Sequence, residues 1–352
     1  PGFKACMPRH AIWDLYLHVS NPGGVREREF MKAWGLTTQS LDDGEFGFYG
    51  RQAKMAVKGA HPVDGDKRGK LLQQALNDHG ENFDIIAETK PIVYRDHVSE
   101  ISGVTLNESS GFQYRQAIEE SGVPYYFLTG WHDGAIVNSN IGAYKALDNA
   151  QRLIIGPWDH GPANFTSPYR TRLNAEKDSA EVRFDILSEM LRFFDYHLKG
   201  TKNGFAKEAP VHYYTQGAET WRAAEAWDFD GDVQQPVYLA PGGELAMQRP
   251  ATTQVDTYQV DYTHGSGGTA RWNSVTAIYR NGNTGYYDRH VADEKLQVYD
   301  SAPLEQDMEI TGHPIVHLNL AADTEHSESA DLRDAAGELA GCGRLEVAIT
   351  TT

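Results

Sequence analysis

The chain has 352 residues, 32 basic against 49 acidic, for a formal charge of −17. That length is more than one hydrophobic core organises, so two or more domains are expected. The acidic balance argues against nucleic acid or an anionic membrane as the main partner. Two cysteines, Cys6 and Cys342, are too few for a disulfide framework, and no apolar run of about 18 residues is present to span a bilayer.

The chain begins PGFKACMPRH, with neither an initiator Met nor a signal-like apolar core, which reads as a processed or truncated product. Phe3–Met7 has the texture of a short buried strand, and His10–Val19 carries apolar residues at irregular helical spacing. Asn21-Pro-Gly-Gly is a turn. Over 21–120 the texture becomes helical, with Phe30, Met31 and Trp34 in one periodic segment and Leu71, Leu72, Ala75 and Leu76 in another. This stretch is expected to be a helical cap. Gly111–Ser121 reads as a short helix stopped by Gly122 and Pro124.

Two apolar runs follow, Tyr125–Leu128 and Arg152–Ile155, each ending in a polar loop. A helix-length segment, Ile136–Leu147, lies between them, the βαβ pattern of a parallel sheet. A long helix is predicted over Ser179–Lys199, with Asp178 as N-cap and Gly200 at C′. Its apolar stripe is Val182, Ile186, Met190 and Phe194, with Leu187 and Leu191 beside it. Val211–Thr215 is the next strand. Beyond Phe229 short runs such as Val237–Ala240, Thr257–Tyr262 and Ile315–Leu320 alternate with Gly, Pro and Asp, the rhythm of an antiparallel β-sandwich. The tail after Ser327 breaks that rhythm.

In a parallel sheet, chemistry sits beyond the carboxyl ends of the strands. The loop after the first run carries Asp133 and the loop after the second carries His160, so both are expected at one lip. An acid that orients a histidine general base is two thirds of a nucleophilic triad. Alone, Asp133 reads as the N-cap of the following helix. Asp159 and His132 compete for the two roles, but each is the sequence neighbour of a candidate partner and so poorly placed to bond it. Tyr125, Tyr126, Phe127, Trp131 and Trp158 read as packing. His313 and His317 share a strand face without carboxylate or thiol partners, so no metal is expected there. No phosphate loop or basic aromatic patch is present, and no cofactor is implied.

WHDG followed by GPWDHG resembles the CocE/NonD hydrolases, the family of cocaine esterase, α-amino-acid ester hydrolase and Xaa-Pro dipeptidyl-peptidase. The triad acid there follows a Gly-Trp pair, as Asp133 follows Gly130-Trp131, and the histidine sits in a Gly-Pro-Trp-x-His run, as His160 does. DLYLHVSNPGGV, FFDYHLKGTKNG and the SAPLEQDMEITGHPIVHLNLAADTEHSE stretch extend the resemblance to about Ser327. It implies an α/β class: a partial α/β-hydrolase domain (1–20 and 121–228) interrupted by a helical cap (21–120) and followed by a partial jelly-roll β-sandwich (229–352). It also implies cleavage of an acyl ester, amino-acid ester or Xaa-Pro peptide through an acyl-enzyme, with a small ester or short peptide as partner. The family's nucleophile elbow, G-x-S-x-x-G, does not occur in order here. The serine, its following amide and the oxyanion tyrosine are therefore expected upstream of Pro1. A remnant without a nucleophile, or a β-sandwich binding module on an α/β scaffold, are the other readings.

Overall fold

The computed structural model describes residues 2–24, 26–44, 55, 59–160, 184–227, 229, 236–252, 255–259 and 294–317. The described residues fall into two compact units, one ending at Ala224 and the other beginning at Glu225.

The first unit is built on a sheet of four strands in the order β1-β2-β3-β4: Tyr125–Gly130, Gln151–Gly156, Val211–Thr215 and Thr220–Ala224. The first three are parallel and the fourth is antiparallel. β1 and β2 are buried along nearly their whole length. Their sequences are accordingly continuous apolar runs rather than alternations, as strands covered on both faces require. Alternate residues divide the two faces. Tyr126, Leu128 and Ile154 join Trp158, Phe193 and Phe205 in one cluster, while Phe127, Leu153 and Ile155 point the other way. The helix Gly134–Ala146 crosses from β1 to β2 and packs along both. β4 is half exposed and closes an edge. It has no apolar run, and it was not among the predicted strands.

Phe3–Met7 does not form the predicted strand. The segment pairs with β1 only at isolated parallel bridges, Cys6↔Tyr125 and Arg9↔Leu128, tied by Tyr126 N–H to the Cys6 carbonyl at 2.9 Å. Phe3 is left exposed. The chain nevertheless runs beside β1 in the same direction and ends, at His10, on the same lip.

Among the described residues of 21–120 there are helices and turns and no strand, with helices at Arg28–Asp42, Lys70–His79 and Ile85–Thr89. Phe30 and Met31 of the first pack on Val19 and Ala135. Ala135, in the first turn of the helix after β1, is thus buried under Phe30 and Met31. Lys70–His79 buries none of its side chains, so Leu71 and its neighbours form no core face.

The helix predicted from Ser179 begins at Ile186. Asp185 caps it, its carboxylate accepting from Leu187 N–H and Ser188 N–H; Asp178 and Val182 lie outside the described residues. Gly200 ends it at φ +69°, the left-handed C′ position that glycine adopts without strain. The stripe is narrower than predicted. Phe193 is buried while Leu187 and Leu191 are exposed, because the helix meets the sheet along a single side. A polar network pins that side. The Tyr126 hydroxyl donates to Glu189 at 2.9 Å, Arg192 pairs with Glu189 and Glu208, and Arg152 reaches Glu208 and the Phe205 carbonyl.

The second unit carries the hairpin β5 (Tyr238–Ala240) and β6 (Glu244–Ala246), turned by Gly242 and Gly243, with Asp300 bridged to Glu244. Trp227 packs edge-on against Phe229 and against His313. Residues 257–259 and 315–317 form no strand. The rest of those two predicted runs, and the tail after Ser327, lie outside the described residues.

Candidate active site

β1 and β2 end opposite each other, Gly130 against Gly156. The loops beyond them are laced together by main-chain bonds: Trp131 N–H to the Gly156 carbonyl at 2.9 Å and His132 N–H to the Trp158 carbonyl at 3.0 Å. Both glycines are required by close approach. A Cβ at 130 would meet the Trp158 carbonyl oxygen at 2.1 Å, and one at 156 would meet the Trp158 ring at 2.3 Å. Trp158 itself is packing, as read from sequence: it is buried against Phe184 and Trp221. So are Tyr126 and Phe127, both in the core. Trp131 anchors its loop by donating Nε1–H to the Tyr214 carbonyl at 2.7 Å.

These loops bring Asp133 and His160 together. His160 Nδ1 lies 2.9 Å from Asp133 Oδ1. Asp133 is fully buried, while His160 keeps a quarter of its side chain exposed. Asp133 occupies the position before the helix Gly134–Ala146, yet its side chain makes no capping bond there. Its carboxylate is turned to imidazoles instead. Of the competing residues, His132 faces the Gln216 side-chain amide at 2.6 Å, and His160 bonds Asp133 rather than its neighbour Asp159.

A third residue was missed by sequence reasoning. His10 Nδ1 lies 2.8 Å from the other oxygen of the acid, Asp133 Oδ2, and its ring stacks on His160 with centroids 3.8 Å apart. The available signal was positional. His10 follows a short apolar run in the same way that Asp133 and His160 follow theirs.

The carboxyl of Asp133 feels opposed influences. Burial works to raise it, but the hydrogen bonds from His10 and His160 and the field of both rings outweigh burial and hold it below the usual carboxylate range. The acid is thus kept ionised in a dry setting. Donor atoms of His10, Asp133 and His160 all lie within 4.8 Å of one another, close enough to raise the question of a metal. The two N···O separations, 2.8 and 2.9 Å, are hydrogen-bond lengths. They are shorter than the ligand-to-ligand edge of about 3.3 Å that tetrahedral zinc imposes with its bonds of about 2.0 Å. The arrangement is one acid shared by two rings.

The chain is similar to several known proteins. The sequence profile of the X-Pro dipeptidyl-peptidase (S15) family matches residues 1–162, and that of the X-Pro dipeptidyl-peptidase C-terminal non-catalytic domain matches residues 203–336. A Mycobacterium bovis protein named as a serine esterase is 30% identical over 339 residues, covering 90% of this chain and 52% of that protein. The chain belongs to the CocE/NonD hydrolase family. The cocaine esterase of a Rhodococcus species is 26% identical over 204 residues, covering 54% of this CocE/NonD chain and 34% of the esterase. A crystal structure of a CocE/NonD family hydrolase from Staphylococcus aureus is similar at 15% identity and a TM-score of 0.45, covering 71% of this chain and 35% of that one. The chain spans about half the length of the mycobacterial relative. Its architecture is an α/β-hydrolase-like N-terminal region followed by a β-rich C-terminal domain.

Proposed function

We propose that the protein carrying this chain is a serine hydrolase that cleaves an ester or amide bond through an acyl-enzyme. Asp133 is the orienting acid and His160 the general base and acid. The observation that carries this reading is the 2.9 Å bond from His160 Nδ1 to a fully buried carboxylate that has no capping role. Asp133 fixes the tautomer with hydrogen on Nδ1, which leaves Nε2 to accept a proton. A serine hydroxyl, from a part of the relatives' length that this chain does not span, passes that proton to Nε2 as its oxygen attacks the acyl carbon. The imidazolium then returns the proton to the departing alcohol or amine. Water repeats the cycle and releases the acid. Segment 21–120 shapes the acyl side, and the β-rich C-terminal region is a jelly roll packed as a separate domain. The substrate is a small acyl ester, an amino-acid ester or a short Xaa-Pro peptide, as the esterase and dipeptidyl-peptidase names among the relatives suggest.

Fluorophosphonate labelling of the full-length gene product tests this. One serine becomes phosphonylated, and labelling slows at least a hundredfold in His160→Asn, since general-base assistance contributes about 10²–10⁴. No adduct on the intact protein, or equal labelling rates with and without His160, sinks the proposal.

A further inference from the structure

We propose that His10 is a positioning residue for the triad acid, a second imidazole that clamps Asp133 so that its other oxygen faces His160. This rests on reading Asp133 and His160 as acid and base. Three observations carry it. First, His10 Nδ1 lies 2.8 Å from Asp133 Oδ2 while His160 takes Oδ1. Each oxygen of a fully buried carboxylate is thus held by a different ring. A carboxylate bonded on one oxygen alone can rotate about its terminal torsion, which is a soft one. Bonded on both, it cannot rotate without breaking a bond. Second, the His10 ring lies against His160 at 3.8 Å and 33°, which backs the face of the base and opposes its swinging off the acid.

Third, His10 adopts φ +58°, a left-handed conformation that a residue with a Cβ enters at a cost. Among the described residues only Glu219 shares that property outside the glycines. Strain of this kind persists where the surroundings over-determine it, and it gathers at functional sites. Here the parallel bridge of Arg9 to Leu128 sets the chain at the lip, and the turn at position 10 aims the ring inward. His10 is one-fifth exposed and donates to the acid from the same nitrogen as His160. The two rings differ in role by family position, not by their distances to Asp133.

The strain makes a discriminating experiment possible. His10→Gly removes the ring and the bond but relieves the backbone. His10→Asn keeps an N–H donor near the Nδ1 position and tolerates positive φ. In the full-length protein, His10→Gly is expected to change the melting temperature little, relief of the left-handed backbone offsetting the lost bond, with KM unchanged and kcat about tenfold lower, the effect of losing one charge-assisted hydrogen bond. His10→Asn restores most of kcat. A purely structural histidine gives the opposite ordering, with stability falling and kcat per folded molecule preserved.

The inference is overturned if both variants keep wild-type kcat, if His10→Asn is no better than His10→Gly, or if the change is in KM alone. His160→Asn is run beside them. If it retains turnover while His10→Gly loses it, the two rings exchange roles and the underlying reading fails. If it abolishes turnover while the His10 variants do nothing, only the clamp fails. A second readout needs no turnover. In the ¹⁵N-histidine-labelled chain, His10 carries its hydrogen on Nδ1 and gives a low-field proton signal that Asp133→Asn abolishes. A His10 tautomer protonated on Nε2 alone overturns the clamp.

Discussion

Replacing Gly156 with alanine puts a methyl group 2.3 to 2.4 Å from three atoms of the Trp158 indole. Ordinary contact between carbons begins near 3.5 Å, so the ring or the strand must yield by about 1 Å. Neither has room. Trp158 is buried among Tyr126, Leu128, Ile154, Phe193 and Phe205, and its ring packs on Phe184 and Trp221 with centroids 5.4 and 5.8 Å away. Gly156 is paired to Gly130 across the sheet. Overpacking of a tight core costs about 1–3 kcal/mol, and about 2–4 °C of melting temperature is lost per kcal/mol in a domain of this size. Gly156→Ala is therefore expected to melt about 2–12 °C lower. The displacement does not stay local. The Trp158 carbonyl holds His132 N–H, the residue before Asp133, and His160 follows Trp158 by two positions. A 1 Å misplacement of catalytic groups costs about a hundredfold in rate, so kcat/KM of the full-length protein on a short acyl ester falls by about that factor. Thermal unfolding by circular dichroism and steady-state hydrolysis check the two numbers. A variant that melts and turns over like the wild type refutes the tight approach of the two loops.

Other consequences follow from the same geometry. Asp185→Ala removes the carboxylate that caps the helix Ile186–Lys199 by accepting from two main-chain N–H groups; a lower midpoint is expected in urea unfolding. Acid titration destabilises the fold in two stages. Burial holds His18 and His212 below their ordinary value, so each binds a proton more readily in the unfolded chain, and stability falls as pH drops through about 6.5. His212→Gln flattens that stage in melting curves taken between about pH 7.5 and 5. Asp133, held low, contributes stability above the unfolded carboxyl value of about 3.9, which is lost as pH falls through its lower folded value. Asp133→Asn removes that contribution and shallows the second stage.

Much of the first unit was legible because its central strands are buried on both faces. β1, β2 and β3 are covered, and their runs at Tyr125, Arg152 and Val211 stand out as apolar. Edges are a different matter. Thr220–Ala224 is absent from the predicted strands because a half-exposed edge strand needs no apolar run, and Phe3–Met7 looks like a strand yet pairs only at isolated positions. The predicted helix start differs from the observed one because an aspartate before an apolar stripe is a generic cap signal, and it is the carboxylate of Asp185 that accepts from Leu187 N–H and Ser188 N–H. The acid and the base were legible because each ends a recognisable strand. His10 was not, because the feature that aims it is a single backbone angle, φ +58°, and no local pattern predicts a strained turn at a histidine.

The contact between Asp133 and His160 can be observed without any substrate. In the ¹⁵N-histidine-labelled protein, the account predicts a hydrogen on Nδ1 of His160, seen as a low-field proton resonance that is lost in His160→Gln and in Asp133→Asn and kept in His132→Gln. A His160 protonated on Nε2 alone, or a resonance indifferent to Asp133→Asn, would contradict it.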